Sequence, residues 1–149
     1  MRAPAEAGAA AITASRDVAG GEAFARSVQL EGLDVHAERC DLSRESEIRA
    51  LRDSTLTKHG KLDVLFNNSV ARAGGDPRHT TAADWDTAMT VNSTGLFLAS
   101  QILSEPMQER RSGSIVNIAS IYGMVGPKFS IYEGTQCKIP SITPSQKAA

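Results

Sequence analysis

The sequence has few cysteines, no excess of basic residues and no long apolar run. Its two cysteines, Cys40 and Cys137, form neither a disulfide framework nor a metal-ligand spacing, so we expect a reducing compartment and no metal site. The 16 Lys and Arg residues nearly balance the 17 Asp and Glu residues, which argues against nucleic acid or an anionic membrane as the main partner. The alanine-rich run at residues 9–14 is too short for a signal peptide or a membrane span. We therefore expect a soluble, cytoplasmic protein.

Short β-branched runs alternate along the 149 residues with stretches of helical periodicity. Strands are predicted at residues 9–14, 33–40, 62–66 and 115–119, after a helix tail at residues 2–8. Helices are predicted at residues 19–31, 44–59 and 81–106, loops at residues 71–80 and 124–140, and a helix start at residues 141–149. Alternation of strands and helices, with continuous apolar strands, predicts an α/β fold with a parallel sheet covered on both faces.

Some helical positions are expected to face the core or to begin a helix. The apolar stripe is predicted to contain Phe24 and Val28 in one helix and Ile48, Leu51 and Thr55 in the next. Ser43 is predicted to start the latter helix, and Thr81 with Asp84 the long helix that follows. An ion pair between Glu45 and Arg49 is expected on the solvent side.

Polar side chains follow the carboxyl end of each predicted strand. They are Ser15 and Arg16, Asp41, Asn67 and Asn68, and Ser120. Because the carboxyl ends of parallel strands lie at one edge of a sheet, these four clusters predict a binding crevice there. The alternative is that each residue only caps a helix or turns the chain. That alternative is favoured for Ser43 or Thr81 taken alone, but not for the set of four.

Four segments resemble motifs of the classical short-chain dehydrogenase/reductase family, in the family's order. Residues 67–70 (NNSV) resemble its NNAG, residues 91–95 (VNSTG) its VNxxG, residues 118–120 (IAS) the strand that ends in the catalytic serine, and residues 147–149 (KAA) the end of its YxxxKAA. Each motif is weak alone, but the set is specific and extends over essentially the whole chain. The resemblance implies a Rossmann-like, doubly wound parallel sheet.

The resemblance also implies hydride transfer between a nicotinamide cofactor and a small-molecule carbonyl or alcohol. In the family a tyrosine acts as the general acid, and a lysine one helical turn later lowers the pKa of the phenol. The lysine also holds the nicotinamide ribose, a serine orients the substrate carbonyl, and an asparagine supports a proton-relay water. By resemblance, these last roles fall on Lys147, Ser120 and Asn92.

On the cofactor side, the resemblance implies that Ser15 and Arg16 lie beside the 2′ position of the adenosine ribose. A carboxylate there would accept the 2′-hydroxyl of NAD, whereas a hydroxyl and a guanidinium can bind the 2′-phosphate of NADP. NADP is therefore favoured, and the neighbouring Asp17 leaves NAD as the alternative. The further cofactor contacts implied are Asp41 and Leu42 at the adenine, Asn67 and Asn68 on the adenosine side, and Lys147.

Three features depart from the family's pattern. The glycine-rich TGxxxGxG is absent, and it is expected in a first strand and turn before Met1. In the strand order 3-2-1-4-5-6 that strand is central, so the predicted strands at residues 9–14 and 62–66 must pair directly or leave open edges. The chain also ends at Ala149, before the strands and helices that complete the family's substrate pocket and oligomer interface.

The third departure concerns the general acid. Thr143 stands four residues before Lys147, where the family has its tyrosine, and a threonine hydroxyl has no usable acidity near neutral pH. Thr143 followed by Pro144 fits a helix N-cap with proline at the first helical position. Tyr132 is the alternative acid, but its spacing from Lys138 differs from the family's and it lies in an irregular loop.

We therefore predict one incomplete NAD(P)-binding Rossmann-like domain over residues 1–149, without the family's first strand and C-terminal strands. Two functions are compatible with it. One is an NADP-dependent oxidoreductase acting on a carbonyl or alcohol, which is homo-oligomeric in the intact family. The other is a catalytically inactive remnant that binds at most a nucleotide or a partner.

Overall fold

The computed structural model describes residues 1–71, 79–120, 124 and 125. The chain divides into two compact units, Met1–Gly60 and Lys61–Ala149. The single domain predicted for residues 1–149 stays a prediction. The predicted helix start at residues 141–149, and all but two residues of the predicted loop at residues 124–140, lie outside the described residues.

The first unit is a strand-helix-strand motif flanked by two helices. Its elements in chain order are α1 (Arg2–Glu6), β1 (Ala11–Ser15), α2 (Val18–Gln29), β2 (Val35–Arg39) and α3 (Glu45–His59). β1 and β2 pair in parallel, with Ala11 opposite Val35 and Ser15 opposite Arg39. The two carboxyl ends therefore lie side by side, as the alternating sequence predicts.

The core of this unit is built from small apolar side chains. Ala25 and Val28 of α2 are buried against Ala11 and Val35 of the strands. Phe24, predicted to lie with Val28 in the core, is instead 39% exposed. The buried stripe of α2 runs through residues three apart, which places the large Phe24 ring at its margin.

The buried side of helix α3 contains the predicted residues, but the helix does not begin where predicted. Ile48 is fully buried, and the buried Thr55 hydroxyl donates to the Leu51 carbonyl at 2.7 Å. The N-cap is Arg44, with no capping side chain, and not Ser43. Ser43 instead donates its N–H and its hydroxyl to Asp41, at 2.9 and 2.8 Å, because the shorter Asx turn satisfies both donors.

Two further features of α3 agree with the sequence prediction. The predicted ion pair is present, with Arg49 Nη2 at 2.7 Å from Glu45 Oε1. The helix ends at Gly60, whose φ of 72° is the left-handed conformation that glycine adopts without a Cβ clash. The C-terminal end of α3 is therefore set by local sequence.

The second unit contains β3 (Val64–Asn67), α4 (Ala82–Met89), a π-helical turn (Thr90–Gly95), α5 (Leu96–Glu109) and β4 (Ser114–Asn117). β3 and β4 pair in parallel, with Val64 opposite Ser114 and Asn67 opposite Asn117. Among the described residues, each unit thus has one two-stranded parallel sheet, β1–β2 in the first and β3–β4 in the second.

The long helix predicted at residues 81–106 is interrupted and is also longer than predicted. Thr81 and Asp84 form the expected capping box, in which each side chain accepts the other residue's backbone N–H. The π-helical turn then separates α4 from α5, and α5 continues past Pro106 to Glu109. Pro106 is buried with Met107, so packing offsets the hydrogen bond that proline cannot donate.

The sheet of the second unit is less covered than continuous apolar strands predict. Asn67 contacts α5, and alternation along β3 therefore turns Val64 and Phe66 to the opposite face. These two side chains are 44% and 45% exposed, and Ile118 after β4 is 58% exposed. The prediction of a buried strand at residues 115–119 is wrong in this respect, because in this sheet α5 packs on one face.

Candidate functional site

In the turn after β1, the Asp17 carboxylate and the Arg16 guanidinium have different surroundings. The Asp17 carboxylate accepts the Gly20 N–H at 3.0 Å and caps α2. The Ser15 hydroxyl donates to the Asp17 carbonyl at 2.8 Å. Arg16 lies between them and is exposed. Asp17 is exposed as well, but its carboxylate is engaged at the helix end, whereas Arg16 takes no part in the cap.

The turn after β2 lies next to the turn after β1. The Cys40 N–H donates to the Ser15 carbonyl at 3.1 Å, which extends the ladder by one residue. Hydrogen bonds from the Ser43 N–H and hydroxyl lower the pKa of Asp41, and the charges of Arg16 and Arg44 add to this. The structure thus brings Arg16 and Asp41 together, with the half-buried Leu42 following.

Cys40 is buried beneath this edge. Burial, reinforced by the charge of Glu47, raises the pKa of its thiol to about 11. The thiol therefore stays protonated at neutral pH and is not a nucleophile. Cys137 lies outside the described residues.

In the second unit, Asn67 is an internal residue. Its side chain is 7% exposed, and its Nδ2 donates to Asn117 Oδ1 at 2.8 Å and to Ser100 Oγ at 3.0 Å. This network joins the carboxyl ends of β3 and β4 to α5. Asn68, the next residue, is exposed at the same edge. The cofactor contacts predicted for both asparagines stay predictions.

Asn92 ties the π-helical turn to the segment that follows β3. Its Oδ1 accepts the Ala71 N–H at 2.8 Å, and its Nδ2 donates to the Ala71 carbonyl at 2.6 Å. The side chain is buried and satisfies both polar groups of one residue. Asn92 therefore acts as a clamp that holds the NNSV segment against the helix.

Ser120 lies at the same edge of the second sheet as Asn67. The Ile118 N–H donates to the Asn67 carbonyl at 3.0 Å, which continues the β3–β4 ladder beyond β4. Ser120 follows two residues later and is exposed. The other residues of the predicted chemistry, Lys147, Thr143 and Tyr132, lie outside the described residues.

Three residues of these edges were not singled out by the sequence motifs. Asn117 is the one polar residue in the run at residues 115–119, and Ser100 is a hydroxyl within the apolar stripe of a helix. A polar residue that interrupts an apolar run is a sequence signal that could have identified both positions. Glu47, whose carboxylate accepts the Asp41 N–H at 2.9 Å, gives no such signal because acidic residues are common in a first helical turn.

The described residues show neither a metal site nor a membrane helix. Residues 1–71 and 79–120 contain no group of three His, Cys, Asp or Glu side chains placed to hold a metal ion. In the same residues, no helix combines the length and the apolar character that crossing a bilayer requires.

Comparison with known proteins identifies the family. The model of the short chain dehydrogenase family matches residues 1–143. This chain belongs to the short chain dehydrogenase family. It is 36% identical over 125 residues to sex determination protein tasselseed-2 of Zea mays, covering 80% of this chain and 36% of that protein. It is 30% identical over 110 residues to a cyclopentanol dehydrogenase of Comamonas sp. (strain NCIMB 9872), covering 73% and 44%.

The fold agrees with the family. The structure superposes on F189W actinorhodin polyketide ketoreductase with NADPH at a TM-score of 0.79 and 28% identity, covering 85% of this chain and 49% of that one. The α/β class with parallel strands is therefore confirmed. The chain spans less than half the length of each of these three proteins. The family match ends at residue 143, four positions before Lys147.

Proposed function

We propose that this chain carries part of the nucleotide site and of the reaction site of an NADP-dependent oxidoreductase that interconverts a small carbonyl compound and its alcohol. The observation that carries the proposal is the Asn92 clamp, with bonds of 2.8 and 2.6 Å to Ala71. It joins the family's asparagine to the NNSV segment in the unit that holds Ser120.

Ser120, Lys147 and Asn92 each have a different part in the proposed reaction. When bound, the nicotinamide supplies or accepts the hydride. Ser120 orients the substrate oxygen through a hydrogen bond, and Lys147 supplies a positive charge that favours an alkoxide. The proton that the alkoxide takes up comes from water, because Thr143 cannot donate it. Asn92 fixes the position of Ala71, which follows the NNSV segment. The side-chain oxygen and nitrogen of Asn92 are both engaged by Ala71, so its described role is to position this segment.

The turn after β1 supports NADP over NAD. Asp17 is the carboxylate that could accept a 2′-hydroxyl, but it caps α2 through Gly20 at 3.0 Å. Arg16 is exposed and can pair with a 2′-phosphate. Family resemblance further supports a small-molecule substrate, while the oligomeric state and the cytoplasmic location stay predictions.

Replacing Arg16 by alanine is expected to weaken NADPH binding about 10- to 100-fold, which corresponds to the loss of a charge-assisted hydrogen bond. NADH binding should change less than about twofold, because NADH carries no 2′-phosphate. Isothermal titration with both nucleotides measures the effect. Arg26→Ala is the matched control, since Arg26 is exposed on α2 and pairs with Glu22. An equal loss for NADPH and NADH would contradict the assignment of Arg16 to the phosphate.

Turnover tests the reaction itself. NADPH oxidation is followed with a panel of small ketones, using the chain and its Ser120→Ala and Ser112→Ala variants. A rate that falls at least about 100-fold in Ser120→Ala but not in Ser112→Ala supports the oxidoreductase. Ser112 is a suitable control because it is exposed at the opposite end of β4.

A second function is favoured by one residue, Thr143. Because threonine cannot supply the proton at the tyrosine position, the chain can instead be a non-catalytic member that binds the nucleotide or a partner. NADPH binding without turnover on any ketone supports this alternative. Absence of NADPH binding contradicts the cofactor assignment in both.

A further inference from the structure

Glu47 connects the charged groups at the edge formed by the carboxyl ends of β1 and β2. Its Oε2 accepts the Asp41 N–H at 2.9 Å. Its Oε1 lies 3.5 Å from Arg39 Nη2 and 3.9 Å from Arg44 Nε. The Glu47 side chain is 22% exposed, whereas both arginines are more than half exposed. One carboxylate thus fixes a backbone group with one oxygen and two cations with the other.

The two cations belong to a larger charged cluster, in which three arginines accompany the carboxylates of Asp17, Asp41 and Glu47. Arg39 is the last residue of β2 and lies opposite Ser15 in the sheet register. Ser15 directly precedes Arg16 in the chain. Arg16 and Arg44 both lie close enough to Asp41 to lower the pKa of its carboxyl group, after the larger effect of Ser43. The edge therefore holds three guanidinium groups, and Glu47 neutralises part of the charge of two of them.

We infer that Glu47 is a positioning residue that sets how strongly this edge discriminates a 2′-phosphate from a 2′-hydroxyl on an adenine nucleotide. One oxygen holds the Asp41 backbone in place beside the adenine. The other keeps Arg39 and Arg44 turned towards α3 and lowers the positive charge that faces the phosphate. The inference rests on the proposed nucleotide site and adds to it a residue outside the family's motifs.

Glu47→Gln and Glu47→Ala separate the two tasks. Glutamine keeps an oxygen that can accept the Asp41 N–H but removes the charge, so NADPH affinity should rise about threefold with NADH affinity unchanged. Alanine removes both, so the Asp41 segment loosens and the affinity for both nucleotides should fall about fivefold. Titration calorimetry with NADPH and NADH gives both values. Glu45→Gln is the matched control, because Glu45 lies on α3 and pairs with Arg49 instead.

Two further readouts exclude a merely structural role. The gain of Glu47→Gln for NADPH should disappear in 1 M salt, where charges on an exposed edge are screened beyond about 3 Å. Exchange of the Asp41 amide hydrogen should be fast in Glu47→Ala and slow in Glu47→Gln. This exchange needs no nucleotide, and slow exchange of the amides in the β1–β2 ladder of the same sample shows that each variant is folded.

The possible outcomes separate the inference from the proposed function. If the unmodified chain binds neither nucleotide, the proposed function is wrong and this inference is wrong with it. If it binds NADPH and Glu47→Gln leaves the ratio of NADPH to NADH affinity unchanged, only the inference is overturned. An increased ratio that is lost at high salt supports both.

Discussion

Replacing Thr143 by tyrosine is expected to raise NADPH-dependent ketone reduction by this chain about 100-fold or more. The reason is the position of Thr143, four residues before Lys147, which is the family's spacing between the phenol and the lysine. A phenol whose pKa is lowered by a nearby ammonium group can protonate the forming alkoxide, whereas an aliphatic hydroxyl cannot. The measurement is the initial rate of NADPH oxidation, with the alcohol product quantified.

The controls for this variant separate a chemical gain from a packing gain. Thr143→Phe introduces the same ring without the hydroxyl and should stay at the starting rate. Adding Ser120→Ala or Lys147→Ala to Thr143→Tyr should remove most of the gain in rate, because each substitution deletes a side chain that assists the proton transfer. A Thr143→Tyr variant that binds NADPH but reduces no ketone would show that Thr143 is not at the position of the acid.

Replacing Asn67 by alanine should lower the free energy of unfolding by about 2 kcal/mol, the cost of removing a buried amide that donates two hydrogen bonds. The amide nitrogen of Asn67 is shared between Asn117 at 2.8 Å and Ser100 at 3.0 Å, so its removal loosens β3, β4 and α5 together. Urea unfolding, followed by circular dichroism, measures the loss. The hydrogen bonds between Asn92 and Ala71 should be almost unchanged in this variant, because they do not involve Asn67.

The neighbouring asparagine supplies the control. Asn68 is exposed, and Asn68→Ala should change the free energy of unfolding by less than about 0.5 kcal/mol. Ser100→Ala combined with Asn67→Ala should cost less than the sum of the two single changes, because the pair shares one hydrogen bond. Equal destabilisation by Asn67→Ala and Asn68→Ala would contradict the internal role of Asn67.

Local sequence was sufficient for much of the fold. The capping box of Thr81 and Asp84, the stop at Gly60 and the Glu45–Arg49 pair depend on residues a few positions apart, and all are present. The motif residues Asn67, Asn92 and Ser120 pointed to the family through their types and order, and the roles predicted for them stay predictions. Such features require no knowledge of how distant segments meet.

Two kinds of feature were not predicted from the sequence: contacts between distant residues, and local geometry that residue types do not reveal. Nothing near Asn67 indicates that its amide will reach Ser100, 33 residues away, or Asn117, 50 residues away. Likewise, Glu47 turns back to Asp41 because the Asx turn of Ser43 places that N–H within its reach. The apolar spacing of residues 81–106 also cannot reveal a widened turn, since helical periodicity is read over a window longer than the turn itself.

The number of residues between Asn92, in the π-helical turn Thr90–Gly95, and Ser100, in the continuous helix α5, is constrained by hydrogen bonds at both positions. Two tethers reach residues 67–71 from this helical segment, one from Asn92 to Ala71 and one from Ser100 to Asn67. Deleting one residue between the tethers would rotate one relative to the other by about 100° around the helix axis, so only one could stay attached. Natural insertions and deletions should therefore accumulate in the flanking connections and not between Asn92 and Ser100.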